Sequence, residues 1–141
     1  MTAKKIHSTS VVIEDLGLLI RGQSGSGKSD LALRLIDSGA TLVSDDLTIC
    51  KKIGDYLYLY SHPNTKGLLE VREIGIMTVP YVENIKLTLV VELVDEEFER
   101  IPRMMTCSIL GMKFPKIKIF GKSPSAVAKI KIKLNQIRSY A

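Results

Sequence analysis

The sequence predicts an α/β protein with a mixed β-sheet core, one helix directly after a glycine-rich loop, and an amphipathic helix near the C-terminus. Short apolar runs separated by turn residues indicate the strands. The loop at residues 22–29 stands between such a run and a stripe of apolar residues at helical spacing, and a second stripe follows residue 122. At 141 residues the chain suits one domain with a single core, which we expect to span residues 1–141.

The first half of the chain indicates a hairpin, a helix and a strand. Two apolar runs, Val11–Ile13 and Leu16–Ile20, flank the polar pair Glu14-Asp15, which predicts a hairpin leading into the loop. Apolar residues then recur at helical spacing over Lys28–Asp37, and Gly39 is a plausible stop for that helix. The run "TLVS" is a predicted strand that ends at two aspartates.

The second half is less regular. A hairpin is predicted around Gly54-Asp55, with a loop at "HPNTKG" after it, whereas "LLEVREIGIMTV" has no clean period. The segments "IKLTLVVELV" and "FPKIKIF" are predicted strands, and residues 99–112 are predicted to be a surface loop. Ser123 as N-cap and Pro124 at the first helical position predict the start of the last helix. Its apolar face is expected at Val127, Ile130, Leu134 and Ile137.

Composition narrows the class of protein. Hydrophobic residues make up 45% and charged residues 25%, as in ordinary soluble domains, and no apolar run reaches membrane-spanning length. The N-terminus lacks the apolar core of a secretory signal, and Cys50 and Cys107 stand in no metal-ligand spacing. We therefore expect a cytoplasmic protein with reduced thiols and no membrane partner.

The net charge of +5 is unevenly distributed. Residues 110–141 carry eight Lys or Arg and no acidic residue, and the acidic run "VELVDEEFER" lies just before this region, at residues 91–100. The basic region suits a solvated helix face better than a docking surface for an acidic partner, although both remain open. Since no aromatic residues interleave with these charges, we expect no nucleic-acid binding.

The strongest motif is Gly-x4-Gly-Lys-Ser at residues 22–29, the pattern of a phosphate-binding P-loop. Its glycines let backbone N–H groups surround phosphate oxygens, and the following helix N-terminus adds a partial positive charge. Lys28 would bridge the β- and γ-phosphates of a nucleotide, and the Ser29 hydroxyl would ligate Mg²⁺. The residues expected to bind nucleotide are Gly22, Gln23, Ser24, Gly25, Ser26, Gly27, Lys28 and Ser29.

Asp45 and Asp46 follow the strand "TLVS". The strands before the loop and before these aspartates should run in the same direction, so their carboxyl ends should meet at one edge of the sheet, near the phosphates. One carboxylate there could hold Mg²⁺, and the other could accept the proton of an attacking hydroxyl. A solvated acidic turn is the alternative.

These segments, in this order, resemble the HPr kinase/phosphorylase family, specifically its catalytic domain. The resemblance begins at "IHSTSVVI", is greatest over "GQSGSGKSDLALRLIDSGATLVSDD", and includes "GLLEVREIGI", which is similar to the family's Glu-[Ile/Val]-Arg-Gly-Leu-Gly-Ile signature. It continues through "FERIP" and "KFPKIKI". The chain is similar to the short, catalytic-domain-only type.

The resemblance implies a PEP carboxykinase-like P-loop fold and an ATP-dependent serine kinase that acts on HPr, the small phosphocarrier protein of the sugar phosphotransferase system. It also implies a reverse reaction with inorganic phosphate and a homo-oligomer, a hexamer in the family. It places Mg²⁺ at Ser29 and Glu70 and makes Asp46 the base in one direction and the acid in the other. The catalytic positions are His7, Lys28, Asp45, Asp46 and Arg100.

Two positions depart from the family pattern. Glu73 stands where the signature usually has a glycine, which would permit a backbone conformation that glutamate does not favour. His7 is followed by Ser8 instead of the common glycine.

Three other functions stay open on the residues alone. A nucleotide-dependent switch is one, although the guanine-reading Asn-Lys-x-Asp of GTPases is missing from the sequence. A small-metabolite kinase is another, although no arginine-rich lid segment is visible. A binding module that has lost the transfer chemistry is the third, with Glu73 as its only support.

Overall fold

The computed structural model describes residues 2–96, 100 and 102–139 of the chain. These residues contain eleven strands and two helices. In chain order they are β1 (Thr2–His7), β2 (Thr9–Ile13), β3 (Leu16–Arg21), α1 (Lys28–Asp37), β4 (Thr41–Ser44), β5 (Leu47–Ile53), β6 (Tyr56–Ser61), β7 (Leu68–Val71), β8 (Gly75–Thr78), β9 (Ile85–Val94), β10 (Met105–Ile109), β11 (Met112–Phe120) and α2 (Ala126–Ser139).

Most strands form one large mixed sheet around the long strand β9. The order is β1-β5-β6-β9-β3-β2-β4, and β11 also pairs with β9 and carries β10 at its outer side. The first residues of β9 pair with β6, and its later residues lie between β3 and β11, to which it is parallel. The strands β1, β5 and β6 thus form one layer, and the remaining strands of this sheet form a second. A separate hairpin joins β7 and β8.

Two hydrophobic cores lie on opposite faces of the second layer. Alternate residues of a strand point to opposite faces, so Leu18 and Ile20 pack towards the helices while Leu19 packs towards β5 and β6. The helical core includes Leu31 and Leu35 of α1 together with side chains of α2. The helices therefore cover one face of the second layer, and the β1-β5-β6 layer covers the other.

The topology brings the expected site residues to one edge. Both β3 and β4 pair antiparallel with β2, which lies between them, so the two strands run in the same direction. The residues that follow β3 and β4, the loop at 22–27 and Asp45-Asp46, therefore leave the sheet at the same edge. This confirms the direction predicted from sequence, with β2 inserted between the two strands.

Several predicted elements are confirmed. The first hairpin turns at Glu14 and Asp15, whose positive φ angles of 50° and 78° suit a tight turn between twisted strands. The helix Lys28–Asp37, the strand Thr41–Ser44 and the hairpin at Gly54-Asp55 lie where the sequence predicts them. The apolar face predicted for the last helix packs into the helical core.

Two predictions are wrong. Residues 105–109, predicted as part of a surface loop, form the edge strand β10; it pairs only with β11, which is why its pattern is weak. The last helix begins at Ala126, and Ser125 accepts the first helical hydrogen bond at its carbonyl. Ser123 therefore caps the preceding turn, and Pro124 lies before the helix and not at its first position. The strands β1, β7 and β8 were not predicted. In the described part of the chain, no helix is long and apolar enough to cross a membrane.

Gly17 of β3 lies close against the backbone of β9. A Cβ placed there would lie 2.2 Å from the carbonyl oxygen of Lys86, a distance that forces the strands apart. We expect Gly17→Ala to lower the free energy of unfolding by about 1–3 kcal/mol, measured by urea denaturation. Gly54→Asn is the control because it changes an open turn glycine, at φ 61°, to a residue that tolerates such angles. Equal stability of the Gly17→Ala variant and the wild type would contradict the packing argument.

The two cysteines should differ in reactivity. Burial in the core raises the pKa of the Cys50 thiol to about 12, against a small opposing effect of the Lys4 charge, whereas Cys107 is only partly buried. Because the thiolate is the reactive form, an aromatic disulfide reagent at pH 8 should modify one thiol quickly in the native protein and two after unfolding. A fast reaction of the native Cys107→Ser variant would contradict the assignment of Cys107 as the reactive thiol.

Ionisation of Cys50 also predicts a dependence of stability on pH. The unfolded chain loses the Cys50 proton near pH 9.0, whereas the folded chain keeps it until about pH 12, so the free energy of unfolding should fall as the pH rises above 9.0.

Candidate active site

The glycine loop, residues 22–27, connects β3 to α1. Gly25 and Gly27 have φ angles of 82° and 97°, which L side chains rarely adopt, and α1 begins at the next residue. Lys28 is buried, and its Nζ donates hydrogen bonds to the carbonyl oxygens of Gly22 and Gln23, at 2.9 and 3.0 Å. The ammonium group is thus held against the inner side of the loop.

A pocket of about 500 Å³ opens beside the glycine loop. Gly22, Gln23 and Ser26 form one wall, and residues 92–96 at the end of β9 form the other. Glu92 forms ion pairs with residues of the two adjoining strands. Its Oε1 lies 3.8 Å from Nη2 of Arg21 and 3.5 Å from Nζ of Lys116, so its charge is shared between two cations.

Asp45 is the buried acid of the site. It is 6% exposed, and its Oδ1 accepts hydrogen bonds from Thr9 Oγ1 at 2.9 Å and Ser29 Oγ at 2.7 Å. Its Oδ2 accepts a hydrogen bond from the backbone N–H of Glu70 at 3.0 Å. Three donors from β2, α1 and β7 therefore surround one carboxylate, which offsets the cost of burying its charge.

Asp46, the next residue, is the exposed acid of the site. Its side chain is 71% exposed, and its Oδ1 lies 2.8 Å from Nε2 of His7, which ends β1. Its backbone has a φ of 70°, in the left-handed region that is rare for residues other than glycine. The carbonyl of Asp46 accepts a hydrogen bond from the N–H of Ser8 at 2.9 Å. The two adjacent aspartates thus occupy contrasting environments, one enclosed and one open to an incoming molecule.

The β7–β8 hairpin carries the signature segment. Its β7 strand brings the backbone of Glu70 to Asp45, while the Glu70 side chain is exposed. At the turn, the N–H of Ile74 bonds to the carbonyl of Val71, and Glu73 at the third turn position has a φ of 74°. That position of a turn favours glycine when φ is positive. Glu73 therefore has a backbone conformation that a glycine at this position would adopt without steric cost.

Arg100 is exposed. Within the described residues, no hydrogen bond or ion pair joins it to the other expected site residues. Of the segment "FERIP", residues 98, 99 and 101 lie outside the described part of the chain. The structure thus gathers His7, the glycine loop, Lys28, Ser29, both aspartates and the Glu70 backbone, and it does not join Arg100 to them.

A group of buried hydroxyls beneath the aspartates was missed in the sequence. Thr9 contacts both acids, since its Oγ1 also accepts the N–H of Asp46 at 3.4 Å. The other buried hydroxyl residues near this turn are Ser8, Ser10, Ser44, Thr48 and Ser61. The polar run "HSTS" at the start of a strand was a signal, but the hydrogen-bond partners lie some 40 residues away along the chain, as in the bond from Thr48 to Ser8.

The donor set suits a magnesium ion that is also bound by a substrate. A hydroxyl, Ser29 Oγ, lies next to the Asp45 carboxylate, and Glu70 adjoins them through its backbone. In the described residues, no three or more His, Cys, Asp or Glu side chains form a complete metal cage. Mg²⁺ typically uses one or two carboxylates together with substrate phosphates, so the residues present fit this ion.

The family model of the HPr serine kinase C-terminal domain matches residues 1–138. Similar proteins include the HPr kinase/phosphorylase of Mycoplasmopsis pulmonis, 35% identical over 91% of this chain and 46% of that protein. That of Burkholderia lata is 35% identical over 81% of this chain and 39% of its own length. A solved structure, the HPr(Ser) kinase/phosphatase from Coxiella burnetii, superposes with a TM-score of 0.84 and 26% identity, covering 98% of this chain and 99% of that one.

The fold and the site define a mixed α/β protein in which a glycine loop faces a buried and an exposed aspartate at one sheet edge. The matches take the assignment further: the chain belongs to the HPr serine kinase C-terminal domain family. It spans less than half the length of the two curated relatives described above.

The conformation of Glu73 gives a stability prediction. Replacing it with glycine removes the steric cost of the left-handed backbone, so Glu73→Gly should raise the free energy of unfolding by about 0.5–1 kcal/mol in urea denaturation. The matched control is Arg72→Gly, because the adjacent Arg72 is also exposed but has no positive φ. That variant should lose about 0.5–1 kcal/mol through the added freedom of the unfolded chain. Destabilisation by both substitutions would show that the turn gains nothing from glycine at position 73.

Proposed function

We propose that the protein is an ATP-dependent serine kinase that phosphorylates the phosphocarrier HPr, with a phosphate-dependent reverse reaction. The observation that carries the proposal is the exposed pair of His7 and Asp46, 2.8 Å apart, at the sheet edge where the glycine loop ends. Because this pair is exposed, a hydroxyl on the surface of another protein can reach it. A small-molecule kinase would instead enclose its substrate under a lid. The names of the curated relatives support the same acceptor.

In this proposal the glycine loop is a P-loop of the PEP carboxykinase-like type and holds the phosphates of ATP. Backbone N–H groups of the loop would supply the donors together with the N-terminus of α1, apart from that of Ser26, which bonds to the carbonyl of Gln23 at 2.9 Å. Lys28 would exchange its bonds to the loop carbonyls for phosphate oxygens. The pocket of about 500 Å³ beside Ser26 is large enough for the nucleoside part of ATP.

Ser29, Asp45 and Glu70 would hold Mg²⁺ in this site. The ion would neutralise negative charge that develops on the phosphate oxygens during transfer. Asp45 is suited to this role because it is enclosed and already oriented by the hydroxyls of Thr9 and Ser29. Burial leaves it little access to the hydroxyl of an incoming protein.

Asp46 accepts the proton of the acceptor serine. As the serine oxygen forms its bond to the γ-phosphorus, the bond to the β,γ-bridging oxygen breaks and ADP leaves, while the serine proton passes to the Asp46 carboxylate. His7 orients that carboxylate through the contact at 2.8 Å. In reverse, inorganic phosphate attacks the phosphoserine phosphorus, Asp46 returns the proton to the leaving serine oxygen, and pyrophosphate forms.

Two further features belong to the proposal. Arg100 would stabilise charge on the transferring phosphoryl group, as the resemblance of "FERIP" implies. The single domain over residues 1–141 would assemble as a homo-oligomer, in the family a hexamer. Ile74 and Ile76, each 68% exposed on the β7–β8 hairpin, support assembly because such apolar surface is usually covered.

Transfer to HPr gives the test. With Mg²⁺, γ-labelled ATP and HPr from the same organism, the wild type should label one serine of HPr, identified by mass spectrometry. Asp46→Asn should lower kcat by about 10²–10⁴-fold because the proton acceptor is lost. Lys28→Ala should abolish transfer because a charge that binds the donor phosphates is lost.

The matched controls are Asp55→Asn and Lys52→Ala, which change an exposed aspartate and an exposed lysine away from the site. Both should keep wild-type rates. Unlabelled HPr with the wild-type protein would overturn the proposed acceptor. A fully active Asp46→Asn variant would overturn the proposed base.

A further inference from the structure

We propose that Thr9 is a positioning residue, whose buried hydroxyl determines where Asp46 presents its carboxylate. Thr9 is fully buried and lies under the Asp45-Asp46 turn, so it acts through the aspartates and not on a substrate. The inference rests on the proposed function in one respect, that Asp46 is the base.

The Thr9 hydroxyl contacts both aspartates at once. It donates its hydrogen to Asp45 Oδ1 at 2.9 Å and accepts the backbone N–H of Asp46 at 3.4 Å. A threonine hydroxyl has one hydrogen to donate and lone pairs to accept, so the two bonds are compatible. Of all side chains that the structure describes, only that of Thr9 bonds to both acids.

Loss of this hydroxyl would affect Asp46 more than Asp45. Asp45 keeps two other donors, Ser29 Oγ at 2.7 Å and the N–H of Glu70 at 3.0 Å. The N–H of Asp46, by contrast, has Thr9 as its acceptor. Two other backbone bonds close the turn, from the N–H of Ser8 to the carbonyl of Asp46 at 2.9 Å and from the N–H of Leu47 to the carbonyl of Asp45 at 2.8 Å, but neither uses the N–H of Asp46. Without Thr9 the Asp45 carboxylate therefore keeps two of its three donors, whereas the N–H of Asp46 loses its acceptor.

The bond from the N–H of Asp46 to Thr9 matters because the backbone of Asp46 is strained. Its φ of 70° is a conformation that persists in residues other than glycine only where neighbouring contacts hold it. Without the acceptor for its N–H, the turn can relax towards a more common conformation. The carboxylate would then move from the position in which it lies 2.8 Å from His7 Nε2.

The test compares Thr9→Val, which replaces the hydroxyl with a methyl group, with Thr9→Ser, which keeps it. Thr9→Val should lower kcat for HPr phosphorylation by about 10–100-fold with the KM for ATP unchanged, because a small displacement of a catalytic group has effects of this size. Thr9→Ser should stay within about threefold of the wild type. Thr9→Ala takes the place of Thr9→Val if the valine variant does not fold.

A second readout separates positioning from general stability and needs no activity. In ¹⁵N-labelled protein at constant pH, the ring signals of His7 should shift in Thr9→Val towards their positions in Asp46→Asn. The only other histidine, His62, is the internal reference. Thr48→Val is the matched control, since Thr48 is an equally buried hydroxyl that bonds to Ser10 and Ser8 but to neither aspartate. It should keep both kcat and the His7 signals.

The outcomes separate this inference from the proposed function. If the wild type phosphorylates HPr but Thr9→Val keeps its kcat and its His7 signals, the role of Thr9 is refuted and the kinase assignment stands. If the wild type does not phosphorylate HPr, the proposed function fails, and the His7 signals still decide whether Thr9 positions Asp46. Equal loss of activity in Thr9→Val and Thr48→Val, with unmoved His7 signals, would also refute the inference.

Discussion

The structure of the site depends on the burial of one carboxylate, that of Asp45. A buried charge is costly unless donors surround it, and here the donors come from three separate elements: Thr9 of β2, Ser29 of α1 and the backbone of Glu70 in β7. The same three bonds that stabilise the charge therefore fix the helix after the glycine loop and the signature hairpin relative to the sheet.

The neighbouring Asp46 shows how adjacent residues of one type can differ in chemistry. The side chain of Asp45 is enclosed, whereas that of Asp46 is 71% exposed and contacts His7. The positive φ of Asp46 separates the two directions, because it turns the chain sharply between β4 and β5. In the proposed function the enclosed carboxylate would hold a metal ion, and the exposed one would accept the proton of a hydroxyl on a large partner.

In the β7–β8 hairpin, a residue other than glycine occupies a turn position with a positive φ. Glu73 occupies a turn position at φ 74°, where glycine is favoured, and the turn bond between Ile74 and Val71 is still formed. The β7 strand of this hairpin also carries the bond from the N–H of Glu70 to Asp45, so the strained turn is formed together with that contact. The hairpin therefore retains its conformation at some expense in local stability.

The sequence by itself determined the elements whose signals are local: the first hairpin from Glu14-Asp15, the helix over Lys28–Asp37, and the loop with its glycines and lysine. It also identified both aspartates, because strand direction alone predicts that they leave the sheet beside the loop. It did not reveal β1 or β10, since edge strands with one paired side carry weak hydrophobic patterns. Only the tertiary structure decided which aspartate is buried and that Thr9 joins them, because those hydrogen bonds connect residues more than 30 positions apart and no local pattern encodes them.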